Sequence, residues 1–201
     1  MYIINMKEKN IDISKLNEAL IVLNEQLMLA DAEPQNLVVC GGSALIATGL
    51  VPRTTQDVDV VAVFKNCSLA DPDPFPEALT NASTTTAKLL SLPEDWLNSG
   101  PADLFRMGLP EGFAERLQKV SIGEYLNIYY TSRFDQIHFK LYAAVDRGGY
   151  HISDLSAIKP TKDELFTAAK WCVTQDVSEG FLYLLKEFLK NFGANDVAER
   201  L

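Results

Sequence analysis

Residues 14–31 carry Leu16, Leu20, Leu23 and Leu27, with Val22 and Leu29, in an otherwise polar run. The three-to-four spacing is that of an amphipathic helix, for which Ser14 is the candidate N-cap. Residues 36–40 form a short run rich in Val and Leu that ends in Gly41-Gly42, the pattern of a buried strand breaking into a turn. Residues 43–48 read as a short helix. Gly49 closes it, because glycine reaches the left-handed conformation common at helix ends, and Pro52 prevents continuation. A second strand is expected over 57–64.

The middle of the chain carries weaker signals. Pro72, Pro74 and Pro76, together with Asp71 and Asp73, mark 66–80 as a loop, since proline lacks a backbone donor and restricts its neighbour. A helix is expected over 82–90, then another irregular stretch around Pro93, Gly100, Pro101 and Gly108. Residues 125–131, rich in Ile and Tyr, read as a further strand, and 134–147 as a helix with Ile137, Leu141 and Ala144 on one side. Two more helices are expected over 161–172 and 179–192, the first opened by Thr161 and Glu164 at capping-box spacing after Pro160. Strands therefore occupy the first two thirds and helices the end, with no internal repeat.

At 201 residues the chain suits one ordinary domain with a helical extension. Its 47% hydrophobic and 22% charged content predicts a packed core. The N-terminus lacks a charged-then-apolar layout, and the longest apolar region is interrupted by Gly41, Gly42 and Ser43, short of the roughly 18 residues a membrane span needs. A cytoplasmic protein with no membrane partner is expected. Cys40, Cys67 and Cys172 are odd in number and have no CxxC spacing, so they read as packing residues. The net charge of −9 argues against broad electrostatic capture of DNA or RNA, which depends on neutralising phosphates, and leaves room only for a local basic patch. Small anions such as nucleoside triphosphates remain compatible, because backbone N–H groups and a bound cation can hold them.

Candidate chemistry concentrates in residues 37–64, LVVCGGSALIATGLVPRTTQDVDVVAVF. On a strand Asp57 and Asp59 share one side while Val58 and Val60 take the other. Two carboxylates roughly 6–7 Å apart along a strand repel unless a cation lies between them. Magnesium suits that position, being hard and commonly shared between carboxylates and substrate phosphates. Gly41 and Gly42 let the main chain approach a triphosphate, and Ser43 at a helix start adds a hydroxyl and N–H groups. His138 and His151 lack metal-ligand spacing and stay outside the expected site, His138 pointing away from Lys140. Trp96, Trp171 and the cluster Phe181, Leu182, Leu184, Leu185, Phe188 and Leu189 read as core, although the last helix can also cover a partner surface. No Ser-His-Asp order or GxSxG elbow is present.

The segment GGSALIATGLVPRTTQDVDVVA resembles the nucleotidyltransferase superfamily related to polymerase beta. It is most similar to the bacterial AbiEii/MNT-like branch that includes AbiE-type abortive-infection toxins, and Arg53, Thr55, Asp57 and Asp59 match that branch's R-x-T-x-D-x-D lead-in. A second block, RFDQIHFKLYAAVDRGGYHISDL, resembles its later motifs at Lys140, Arg147 and Asp154. The resemblance implies an α+β fold with a mixed sheet flanked by helices in 1–132 and a helical region in 133–201, packed as one continuous domain. It also implies magnesium-dependent transfer of a nucleoside monophosphate from an NTP to an acceptor such as RNA or protein, with an antitoxin as candidate partner. Asp57 and Asp59 would hold the metal, Gly41, Gly42, Ser43 and Arg147 the nucleotide, Lys140 the phosphate charge, and Asp154 would orient the acceptor. Lys140 and Arg147, two turns apart on one helix face, would meet the triphosphate; the alternative is surface pairing with Asp135, Asp146 or Asp154. Many active members add a third carboxylate on a later strand, yet Tyr125 to Tyr130 contains none. Asn127 or Tyr129 stands there instead, and neither is a good base at neutral pH. Either Asp135, Asp154 or Glu124 supplies the oxygen, or two carboxylates suffice, or the chain is a degenerate member that binds nucleotide or a protein partner without catalysis.

Overall fold

The computed structural model describes residues 10–201, so the first nine residues of the expected 1–132 core lie outside the described residues. Helix α1, Ile13–Leu29, buries Leu16, Ala19, Leu20, Leu23 and Leu27 as one stripe. Its N-cap is Asp12 rather than Ser14: the Asp12 carboxylate accepts from the Lys15 N–H at 2.8 Å. Leu29 falls off the stripe and is exposed.

Strand β1, Gln35–Cys40, runs into α2, Gly41–Ala47, and the chain returns along β2, Val58–Lys65. Proline does not keep 66–80 irregular throughout: β3, Ser68–Ala70, pairs with the end of β2, and α3, Glu77–Leu90, begins well before residue 82. The earlier start follows from Leu79, which is buried in the core, and from Glu77, whose charge suits a helix N-terminus. The stretch expected to be irregular also forms β4, Leu97–Asn98, α4, Ala102–Met107, and β5, Gln118–Ser121. Then follow β6, Leu126–Tyr130, α5, Arg133–Asp146, α6, Tyr150–Ile158, α7, Lys162–Gln175, α8, Glu179–Asn191, and α9, Asn195–Glu199. Thr161 and Glu164 form the expected capping box at the start of α7.

The fold is α+β, with a mixed sheet ordered β3-β2-β1-β6-β5 and β4 paired to β2. Strand β1 is antiparallel to β2 and parallel to β6. The β1–β2 register runs Val38↔Ala62, then shifts so that Val39 faces Val60 and Cys40 faces Asp59. Val39, Val58 and Val60 pack with α1 and α3 around buried Trp96, whereas Val38, Cys40, Val61 and Ala62 face Phe139 of α5. A separate apolar cluster joins α5 to α9 and takes in Leu45 of α2.

Cys40 and Cys172 are buried, but Cys67 is exposed at the β2–β3 turn, where its φ is +61°, so it is a turn residue rather than a packing one. Leu184 is likewise exposed, because the buried side of α8 is Phe181, Leu185 and Leu189. Among the described residues no helix is long and apolar enough to cross a membrane.

Candidate active site

A cleft of about 870 Å³ opens where β1 ends and β2 begins, bounded by α4, α5 and the start of α6. Gly41, Gly42, Asp57, Asp59, Lys140 and Arg147 line it; Ser43 and Asp154 do not.

Gly41 has φ +69°, and a Cβ there would collide with Asp59 Oδ2. The backbone of the turn and the carboxylate are thus in contact only because residue 41 has no side chain. A Cβ on Gly42 would lie 2.5 Å from Thr55 Oγ1 and 2.9 Å from Arg53 Nη2. Ser43 is fully buried, and its hydroxyl donates to the Cys40 carbonyl at 3.3 Å. That inward bond stabilises the turn and keeps the hydroxyl from the ligand space, contrary to the expectation for Ser43.

Asp57 immediately precedes β2, and Thr55 Oγ1 donates to its carboxylate at 3.3 Å. Thr55 is in turn tied to Ile11 by two backbone bonds of 2.7 and 2.9 Å, so the segment before α1 steadies the approach to Asp57. Asp59 stands beside Asn98 across the β2–β4 pairing, and the Asn98 side chain partly offsets the rise in the Asp59 pKa. Burial raises the pKa of Asp57, opposed in part by the Thr55 hydrogen bond. Burial, then repulsion from Asp57, pushes Asp59 up to about 6. Two carboxylates strained in this way fit a divalent cation, which would relieve both the desolvation and the repulsion. Among the described residues no group of three or more His, Cys, Asp or Glu is set to hold a metal. Asp57 and Asp59 could supply two carboxylates to such an ion, a set compatible with magnesium, which keeps substrate phosphate and water as its other ligands.

Beside this pair lies an ionic triad in which Lys140 and Asp154 are buried and Arg53 is half-buried. Arg53 donates from Nε and Nη2 to the two oxygens of Asp154, each at 2.8 Å, and Lys140 Nζ lies 2.8 Å from Asp154 Oδ2. Lys140 and Asp154 are 4% and 1% exposed. Burial alone would raise the Asp154 pKa, but the hydrogen bonds from Arg53 and Lys140 hold it below the usual value. Asp154 thus faces two cations rather than an acceptor: its role is to hold Arg53 and Lys140, which corrects the expectation that it orients substrate. Tyr150, exposed at the mouth, places its ring 5.7 Å from the Arg53 guanidinium and 5.5 Å from Lys140 Nζ. Arg147 caps the C-terminal end of α5, largely exposed, with Asp146 at 3.4 Å.

The expected third carboxylate has no substitute at the sites named for it. Asn127 hydrogen-bonds Asn36 at 3.0 Å and Ser121 at 2.7 Å, Tyr129 packs on Phe64, and neither lines the cleft. Glu124 is exposed in the β5–β6 turn, and Asp135 is buried against Arg116 and Ser132, each at 2.6 Å. The further acids that line the cleft are Asp103, paired with Arg106 at 2.9 Å, and Asp146.

Sequence reasoning missed Gln136 and His151, which also line the cleft. His151 is 8% exposed and its Nδ1 has no partner among the described residues. Burial, aided by Lys140 and Arg147, pushes its pKa down to about 4. His138 instead meets the Phe134 carbonyl at 2.8 Å and Trp171, away from the cleft.

A mixed sheet that brings a glycine turn and an Asp-x-Asp pair into one cleft defines a nucleotidyltransferase-like protein. Residues 15–162 match the family model described as nucleotidyltransferase of unknown function (DUF6036), and the chain belongs to that family. Searches of the curated proteins and of the solved structures returned no match.

Proposed function

We propose that this chain is a magnesium-dependent nucleotidyltransferase of the AbiEii/MNT-like branch, moving a nucleoside monophosphate from an NTP to RNA or protein, with a toxin-like role checked by an antitoxin partner. The observation that carries the transfer reading is the close approach of the Asp59 carboxylate to Gly41, which sets the group proposed to hold metal beside the turn proposed to hold phosphate. In the reaction an acceptor hydroxyl oxygen bonds to the α-phosphorus and releases its proton to water, the bond to the bridging oxygen breaks, and pyrophosphate leaves. Asp57 and Asp59 would hold magnesium, which when bound supplies positive charge to the phosphate oxygens. Gly41 and Gly42 offer close backbone approach to the triphosphate. Lys140, fixed by Asp154, and Arg147 at the mouth contribute positive potential to charge developing during transfer.

Incubation with each labelled NTP, magnesium and a mixture of cellular RNA and protein tests this reading. Label should enter one acceptor fraction, and Asp57→Asn or Asp59→Asn should reduce it about a hundredfold or more. Absence of transfer from every NTP would overturn it. Nucleotide binding without turnover is the second reading. It is favoured by the lack of an evident base among the described cleft residues beyond the Asp57–Asp59 pair: Asp103 and Asp146 are ion-paired, and burial pushes the His151 pKa down to about 4. Tight binding of Mg·NTP with no label transferred would select it.

A further inference from the structure

Gln136, in the first turn of α5, is fully buried and lines the cleft. Its Nε2 donates to Thr131 Oγ1 at 2.7 Å, while its Oε1 has no hydrogen-bond partner among the described residues. The anchor is itself fixed: Thr131 follows β6, and its N–H donates to the Val39 carbonyl at 3.0 Å. One N–H of the amide is therefore committed to the end of the sheet, and Oε1 is the atom left wholly without a partner. A buried carbonyl oxygen is costly to leave unpaired, so an occupant of the cleft that donates to it gains affinity.

The chemistry of the oxygen restricts that occupant. A carboxamide oxygen only accepts, so phosphate oxygens gain nothing from it. The donors of a nucleoside triphosphate are its sugar hydroxyls and the N–H groups of its base. One turn along α5, Phe139 also lines the cleft, and Leu104 of α4 packs against the same apolar cluster. A neutral acceptor beside an apolar wall suits a flat base with a polar edge better than a sugar. On the nucleotidyl-transfer reading of the cleft, we infer that Gln136 determines base specificity, its Oε1 accepting from the exocyclic amine of adenine or cytosine. A keto oxygen at that position would face Oε1 acceptor to acceptor, which disfavours uracil and hypoxanthine.

Calorimetric titration of the full chain with the magnesium complexes of ATP, CTP, UTP and ITP, and of 2′- and 3′-deoxy-ATP, tests the assignment. The wild type should bind ATP and CTP about five- to tenfold more tightly than UTP and ITP. Gln136→Met, similar in size but without the amide acceptor, should lose that preference by weakening the amino bases alone. Gln136→Glu keeps an acceptor and should retain the preference even if all affinities fall, which guards against a Met variant that fails to fold. Equal binding of all four bases, a preference for UTP and ITP, or a Gln136→Met effect that disappears with a deoxy-ATP instead of with the base would each overturn the base assignment while leaving nucleotide binding intact. Failure of the wild type to bind any of the nucleotides would overturn the transfer reading and this inference with it.

Discussion

Cys40 stands opposite Asp59 in the β1–β2 ladder, one position beyond where an unbroken register from Val38↔Ala62 would put it. Without the shift Cys40 would face Val60. Residues directly opposite share a face of the sheet, so Val60 would turn toward the cleft and Asp59 toward α1 and α3. Val61 and Ala62 both face Phe139, while Val60 and Val63 lie in the α1–α3 core. The irregularity thus sends the carboxylate to the cleft and the valine to the core, a common use of β-bulges beside functional sites.

The contact between Gly41 and Asp59 predicts that two glycine substitutions with similar backbone strain differ in function. Gly41 and Gly49 have φ of +69° and +70°, but a Cβ on Gly49 meets nothing within 4 Å. Each change to alanine should cost about 1–2 kcal/mol from left-handed strain. Only Gly41→Ala should also abolish Mg·NTP binding, because its Cβ displaces the Asp59 carboxylate. Urea unfolding and nucleotide titration of both variants check this; equal affinity in the two would refute the contact argument.

Asp59 predicts a pH dependence that magnesium reverses. Its folded pKa is raised from 3.8 to about 6, so the fold favours the protonated acid. That contribution to stability is fully present below 3.8 and is lost as pH rises through about 6. Asp59→Asn removes the loss, so the metal-free variant should be more stable than the wild type near neutral pH, by about 1–3 kcal/mol. Magnesium should raise the melting temperature of the wild type and leave that of Asp59→Asn nearly unchanged. Thermal scans at about pH 4 and about pH 8, with and without magnesium, separate the two effects.

The legible parts of the sequence were those whose signals are local. The strand before Gly41-Gly42, the short helix ended by Gly49 and the α7 capping box all announce themselves within a few residues. Strands β3 and β4, by contrast, have three and two residues and exist because β2 offers them an edge, a condition set by distant chain. Helix α6 was hidden for another reason. Its buried side is His151, Asp154, Leu155 and Ile158, at helical spacing, but half of that stripe is ionisable. Such residues are buried only because Arg53 and Lys140 come to meet Asp154, and an apolar period cannot show this. Gln136 was unreadable in the same sense: it lies among buried α5 neighbours, and only the pairing of its nitrogen exposes the unmet need of its oxygen.

The α7 cap predicts an order of effects remote from the cleft. Thr161 Oγ1 accepts from the Glu164 N–H at 3.2 Å, and the Glu164 carboxylate accepts from the Thr161 N–H at 2.8 Å while also pairing with Arg133. Thr161→Ala should cost about 1 kcal/mol. Glu164→Ala should cost more, roughly 1–2 kcal/mol, because it releases Arg133 as well as the cap, though partial exposure limits the ion pair. Both variants should bind Mg·NTP as the wild type does. Denaturant midpoints and titrations check the order, and a larger loss for Thr161→Ala would show that the Arg133 link carries no weight.

Asp154 and Lys140 predict an asymmetry between the two ends of one ion pair. Removing Lys140 leaves Asp154 with both Arg53 bonds, so Lys140→Met sacrifices one partner of a carboxylate that remains satisfied. Removing the Asp154 charge leaves Lys140 buried, with Arg53 near it and the Tyr150 ring as a weak substitute. Asp154→Asn should therefore cost about 3–5 kcal/mol, as expected for an uncompensated buried charge, and Lys140→Met distinctly less. The double variant should be more stable than the sum of the single effects predicts, since it no longer buries an unpaired lysine. The acid limb provides a second readout. The folded pKa of Asp154 is depressed below 3.8, so its contribution is present above that value and is lost as pH falls through the folded pKa. Asp154→Asn should flatten this part of the acid unfolding curve. Equal costs for the two single variants, or an unchanged acid limb, would mean that the triad does not hold Lys140 in place.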